Sequence, residues 1–124
     1  MNASMLSAEE RRRLSSLLHK RKDDAEHHLA LLHESMREIQ SARSDASADD
    51  EHDPEGPTMT QEWSSLAGLV TEAEAQIRTV DAALGRIHDG TYGVCSRCGN
   101  PIGAARLQAR PATELCIECA RQVG

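Results

Sequence analysis

From about Met59 to Asp89 the apolar positions Trp63, Leu66, Val70, Ala73, Ile77, Val80, Leu84 and Ile87 recur in steps of three and four without a miss. That spacing puts them on one stripe of an α-helix and makes the seam of a coiled coil. His88, Asp89 and Gly90 form a stop, with Gly90 suited to a left-handed C-terminal cap. From Ser7 to about Arg43 the same rhythm threads Leu14, Leu18, Arg21, Ala25, His28, Leu32, Ser35, Ile39 and Ala42, while Leu17, Leu29 and Leu31 widen the stripe. This seam is more polar. Arg21 and Ser35 are expected to set register or to snorkel outward, and His28 to pack partly buried. Ser7 followed by Glu10 predicts a capping box at the start of the helix. The 37 residues of this stretch would make a rod on the order of 55 Å long.

Between the two stretches, residues 44–58 hold Asp45, Asp49, Asp50, Glu51, Asp53 and Glu55, with no Lys or Arg after Arg43 and with Pro54, Gly56 and Pro57. Neither helix is expected to run through this segment. The pattern therefore predicts a mainly α protein. Residues 1–89 form a long antiparallel helical hairpin, a coiled coil with an acidic tip at 44–58, and residues 90–124 form a separate small module. A continuous dimeric coiled coil is the competing geometry, and the prolines argue against it.

The chemistry is concentrated at the C-terminal end. Cys95-x2-Cys98-x17-Cys116-x2-Cys119 lies in the spacing range of a four-cysteine zinc finger. Each Cys-x-x-Cys pair can point two sulfurs at one ion, and Gly93 and Gly99 flank the first pair where the backbone must turn. Four thiolates fill a tetrahedral Zn²⁺, so the single expected zinc is structural and has no open position for activating water. A redox role for either pair lacks the surrounding thioredoxin-like strand and helix pattern. Ile102 and Leu107 are the expected packing residues beneath the ion, and Pro111 and Leu115 are expected to set up the second knuckle. The six histidines, His19, His27, His28, His33, His52 and His88, form no convincing i, i+4 ligand pair and read as solvated.

Composition narrows the function. Trp63 and Tyr92 are the two aromatic residues and Phe is absent, which favours helix-on-helix packing over a sandwich or barrel. The formal charge of −6 argues against a protein that works mainly by neutralising nucleic-acid phosphates. Arg97, Arg106 and Arg110 are the candidate contact residues of the finger, yet the ion and its thiolates leave that module near neutrality. Residues 1–13 contain no apolar core of a secretory signal, and no apolar run approaches 18 residues. Cysteines confined to metal-ligand pairs fit a reducing cytoplasm. No nucleophile, base and orienting group converge, so no enzyme is expected. The acidic run is either a solvated turn or a probe that places negative charge near a bound cation or basic wall of a partner.

With these features in place, the stretch from Val80 to Cys119 resembles the DksA/TraR family of bacterial C4-type zinc-finger transcription factors. The resembling residues are Leu84, Ile87, Tyr92 and Gly93, then Cys95-x-x-Cys98-Gly99-x-x-Ile102, Arg106-Leu107-x-Ala109-Arg110-Pro111, and Leu115-Cys116-Ile117-x-Cys119. The resemblance implies a regulator that binds RNA polymerase through its secondary channel. The coiled-coil tip, here Asp49, Asp50, Asp53 and Glu55, would approach the catalytic centre, with no sequence-specific DNA contact and no membrane. The tip departs from the family's Asp-x-x-Asp-x-Ala: Asp50-x-x-Asp53 is followed by Pro54 and Glu55. An ungapped reading puts His52 and Glu55 at the two aspartate positions. In some members a guanosine tetraphosphate site lies between finger and polymerase. Arg110 occupies one of its basic positions, but Thr79 and Ala120 stand where lysines would be, which argues against a response to that nucleotide.

Two other readings stay open on the residues alone. One is a zinc-ribbon protein–protein interaction module with the hairpin as spacer. The other is a weak nucleic-acid-binding zinc ribbon acting through Arg97, Arg106 and Arg110.

Overall fold

Two long helices dominate the chain, and both owe their ends to identifiable chemistry. In the computed structural model, which describes residues 5–49 and 56–124 (46–49 and 56–57 by backbone alone), α1 spans Ala8–Asp49 and α2 spans Gly56–Asp89. Short helices α3, Ala104–Ala109, and α4, Ile117–Val123, follow. The capping box forms as expected: the Ser7 amide donates to Glu10 Oε1 at 2.8 Å and the Glu10 amide to Ser7 Oγ at 3.0 Å. Each side chain thus satisfies an amide that has no partner within the helix. At the C-terminus of α2, Gly90 takes φ +82°. The amides of Thr91 and Tyr92 then turn back onto the Arg86 carbonyl at 2.9 and 3.1 Å.

The helices extend further toward the tip than the sequence pattern predicts. α1 continues through Ser44 to Asp49 rather than stopping near Arg43, and α2 begins at Gly56 rather than near Met59. Two physical reasons account for this. Ala46 and Ala48 help carry α1 through a stretch that contains no proline. Pro57 stands in the first turn of α2, where a missing N–H costs nothing because that amide would have no helical partner.

The chain packs as two compact units, one made of residues 1–23 with 78–124, the other of 24–77. In the first unit the start of α1 lies against the end of α2. Leu14, Leu18, Val80 and Ala83 are buried in one core, and Lys22 Nζ reaches Asp81 at 2.8 Å. In the second, Ala25, Leu32 and Ala73 are buried, and Gln40 and Arg43 stand beside Trp63. Within each unit the helices are therefore antiparallel partners, as the predicted hairpin requires.

Every seam position expected on α2 is buried or half-buried. On α1 the register needs correction at three places, because Arg21 and His28 are exposed whereas Lys22 and Leu29 are half-buried, and because Ala42 is exposed. The inward sequence is Leu14, Leu18, Lys22, Ala25, Leu29, Leu32, Met36 and Ile39. That choice of three- and four-residue steps keeps an apolar group at every position but one. At the exception, the Lys22 stem covers the seam while its ammonium reaches a carboxylate. His19, His27, His28, His33 and His88 are exposed, and His52 lies outside the described residues. No helix of the described residues is long and apolar enough to cross a membrane.

Candidate metal centre

Two short turns bring the four cysteines together. At the first, Val94 and Pro101 form an isolated antiparallel bridge, the Cys95 amide donates to the Asn100 carbonyl at 2.8 Å, and the Gly99 amide closes onto Cys95 at 2.9 Å. This knuckle needs Gly93 and Gly99 at φ +91° and +80°, a region in which a Cβ is strained. At the second, Cys116 caps α4, its Sγ accepting from the Cys119 amide at 3.5 Å. The Ser96 amide donates to the Glu114 carbonyl at 2.9 Å and ties one knuckle to the other.

All four Sγ atoms lie within 4.8 Å of one another, and no other group of three or more His, Cys, Asp or Glu able to hold a metal occurs among the described residues. Cys98 Sγ and Cys116 Sγ are 3.7 Å apart. Tetrahedral zinc with Zn–S bonds of about 2.3 Å sets its sulfurs roughly 3.8 Å apart, so the donor set fits that ion. Cys95 and Cys119 are buried, Cys116 is partly covered and Cys98 is exposed. The thiols are electrostatically uneven. Burial pushes Cys119 up to about 12, and the neighbouring thiols add to the effect. Burial acts the same way on Cys95, but hydrogen bonds from the backbone of Cys116, Cys98 and Arg97 and from the Cys98 thiol outweigh it and bring it down to about 6. A divalent cation would supply the positive charge that lets all four sulfurs be thiolates in so little space.

Beneath the sulfurs, Leu107 and Ile102 join Tyr92, Leu14, Leu18, Val80 and Ala83 in one core, with Leu115 packed against it. Ile102 and Leu107 are thus where the sequence pattern places them, and Pro111 is fully buried. Polar bonds brace the same contact. Tyr92 Oη donates to the Pro111 carbonyl at 2.7 Å, and Arg86 Nη2 donates to the Ala112 carbonyl at 3.1 Å. Neither role was expected from the sequence. The available signal for Arg86 was a cation in the last turn of a helix, where it favours the carbonyl end. Burial raises the Tyr92 phenol to about 12, with the Arg86 guanidinium opposing it.

The sign of that shift gives a testable expectation. A phenol that ionises near 10 in the unfolded chain and near 12 in the fold stabilises the fold fully below pH 10. The contribution is lost as pH rises through 12. Tyr92→Phe should cost about 1–2 kcal/mol at pH 7, because it strands a buried carbonyl. The gap between variant and parent in urea denaturation should narrow from pH 10 to 12.

The three arginines expected at the finger surface are placed differently from one another. Arg106 turns inward, its Nε donating to the Leu115 carbonyl at 2.8 Å and Nη2 reaching Thr113 Oγ1 at 3.5 Å. Arg97 is exposed and bonds Gln122 at 2.9 Å. Arg110 is exposed and serves as the C-cap of α3. Of the tip residues, Asp49 is the last residue of α1, while Asp50, Asp53 and Glu55 lie outside the described residues.

The charge is unevenly shared. Residues 1–23 and 78–124 carry twelve of the fourteen Lys and Arg and seven of the twenty Asp and Glu, so residues 24–77 hold two cations against thirteen carboxylates. Counted with neutral thiols, the first unit is +5 and the second −11. The whole-chain average conceals this division.

The geometry defines a C4-type zinc-finger module packed against the start of α1 and the end of α2. Residues 90–123 match the family described as the prokaryotic dksA/traR C4-type zinc finger. The chain is 43% identical over 65 residues to an uncharacterized protein of Aquifex aeolicus. It is 50% identical over 42 residues to the RNA polymerase-binding transcription factor DksA of Caulobacter vibrioides and 42% over 43 residues to that of Escherichia coli. These matches take in 52%, 34% and 35% of this chain but only 45%, 30% and 28% of the relatives' own lengths. Among solved structures, transcription factor DksA2 from Pseudomonas aeruginosa superposes with a TM-score of 0.83 over 98% of this chain and 88% of its own, at 20% identity. The DnaK suppressor protein from Agrobacterium tumefaciens gives 0.53 over 98% and 97%, at 24% identity. At such identities the likeness speaks to the fold alone.

Proposed function

We propose that this protein is a transcription regulator that binds bacterial RNA polymerase, entering the secondary channel with its helical hairpin and altering initiation without reading a DNA sequence. The observation that carries the reading is the match of residues 90–123 to the dksA/traR finger, supported by relatives whose names state polymerase binding. Charge is consistent with it. The carboxylates Glu26, Glu34, Glu38, Glu62, Glu72 and Glu74 of the second unit are exposed, which suits a cavity with basic walls and opposes contact with nucleic-acid phosphates. The finger's own role in this reading is to hold the base of the hairpin in shape while the base docks on the channel rim.

In this reading Asp50, Asp53 and Glu55 perturb the elements around the polymerase active centre. Asp50→Asn combined with Asp53→Asn should leave polymerase affinity within about twofold and abolish the effect on initiation in a purified transcription assay. Unchanged transcription by that variant would refute the tip mechanism.

A further inference from the structure

An open groove of about 620 Å³ lies between α1 and α2 within the second unit. Its lining includes small side chains, half-buried Ser35 together with exposed Ala42, Thr58 and Ser65. Buried or half-buried Leu14, Leu18, Leu29 and Leu32 line the earlier part of the α1 seam, whereas Ser35 and Ala42 flank Ile39 in this part. Ser65 and Thr58 face them from α2. The floor is apolar, with Ile39, Met59 and Leu66 half-buried, and the walls carry the exposed carboxylates Glu38 and Glu62. Neither carboxylate makes an ion pair or hydrogen bond among the described residues.

We infer that this groove is a docking site for a cationic segment of the polymerase, one that lays the aliphatic stems of Arg or Lys on the floor and pairs their charges with Glu38 and Glu62. The inference rests on the function proposed above and names the contact made by the shaft of the hairpin rather than its tip. Charge selects the occupant, since the groove sits in the unit that holds thirteen carboxylates against two cations. An acidic or purely apolar segment would leave both glutamates uncompensated as water is excluded. Long basic side chains satisfy both surfaces at once, with stem on hydrocarbon and head on carboxylate.

Stability and binding should move in opposite directions when the groove is filled. Ser35→Leu combined with Ala42→Leu adds apolar side chain over the half-buried floor of Ile39, Met59 and Leu66 without lowering helix propensity. This variant should melt higher than the parent and bind purified RNA polymerase at least about tenfold more weakly, through loss of a central contact. Glu38→Gln combined with Glu62→Gln should weaken binding by roughly five- to twentyfold, as two partly desolvated ion pairs would, and reduce its salt dependence. A filled variant or a neutralised variant that binds within twofold of the parent overturns the groove. A parent chain that does not bind polymerase overturns the proposed function as well, so the two failures are distinguishable.

Discussion

Replacing Cys119 by serine is expected to abolish zinc binding and unfold the C-terminal module. Cys119 is buried, its amide is held by Cys116 Sγ, and it belongs to the same core as Leu18 and Leu107. A structural zinc site contributes apparent folding free energy on the order of 10 kcal/mol, comparable with the whole stability of an ordinary domain. The serine oxygen is a poor substitute for a buried thiolate, so the module loses metal and core together. Zinc content should fall from one ion per chain to none. Hydrogen-exchange protection should vanish at Ile102, Leu107 and Ala120, whose amides are bonded to Gly93, Gly103 and Cys116. Cys98→Ser should be milder, because Cys98 is exposed and water can complete the coordination. A Cys119→Ser protein that keeps those protected amides would show that apolar packing alone holds the finger.

The second large effect lies in the core that the finger shares with the helices. Leu107 and Leu18 are both fully buried, at 0% exposure, one from α3 and the other from α1. Leu107→Ala should destabilise by about 3 kcal/mol, within the range of buried leucine truncations, and lower Tm by roughly 10–15 °C for a chain of this size. Leu18→Ala should cost a similar amount. Because both residues line one cluster, the double variant should depart from additivity by about 0.5 kcal/mol or more. Leu31→Ala, on an exposed face of α1, is the control and should change stability by less than about 0.5 kcal/mol. Equal effects of Leu31→Ala and Leu107→Ala in thermal denaturation would contradict the core described here.

What could be read from the residues, and what could not, follows from how local each signal is. The four thiols, the Ser7–Glu10 box and the Gly90 cap are short-range patterns whose chemistry has one good solution, and each forms as expected. The α2 seam is equally legible because its inward positions are all apolar. On α1 the steps from Leu18 to Ala25 and from Ala25 to Leu32 each admit two choices. The choice of Arg21 and His28 over Lys22 and Leu29 ignored that Lys22 has Asp81 within reach across the pair, a contact invisible in one dimension. The extension of α1 reflects a proline-free stretch carried by Ala46 and Ala48, and the earlier start of α2 reflects the tolerance of a first helical turn for proline. The braces from Arg86 and Tyr92 connect residues 19 or more positions apart in the chain, so no local pattern announces them. The charge division was hidden by averaging over a chain whose two units interleave in sequence.

That division also changes how the negative net charge bears on function. A net charge of −6 suggests a uniformly acidic surface, whereas the acidic surplus belongs to residues 24–77 and the unit containing the finger is basic. Electrostatic steering toward a partner with a basic cavity would then act through residues 24–77.

The most direct test of the account is equilibrium binding of the purified, zinc-loaded chain to purified bacterial RNA polymerase, followed by crosslinking from a photoreactive group at position 53. The account predicts a one-to-one complex whose affinity falls as salt rises, with crosslinks to polymerase segments lining the secondary channel. No complex at tens of micromolar protein, or crosslinks confined to the outer surface of the polymerase, would contradict it.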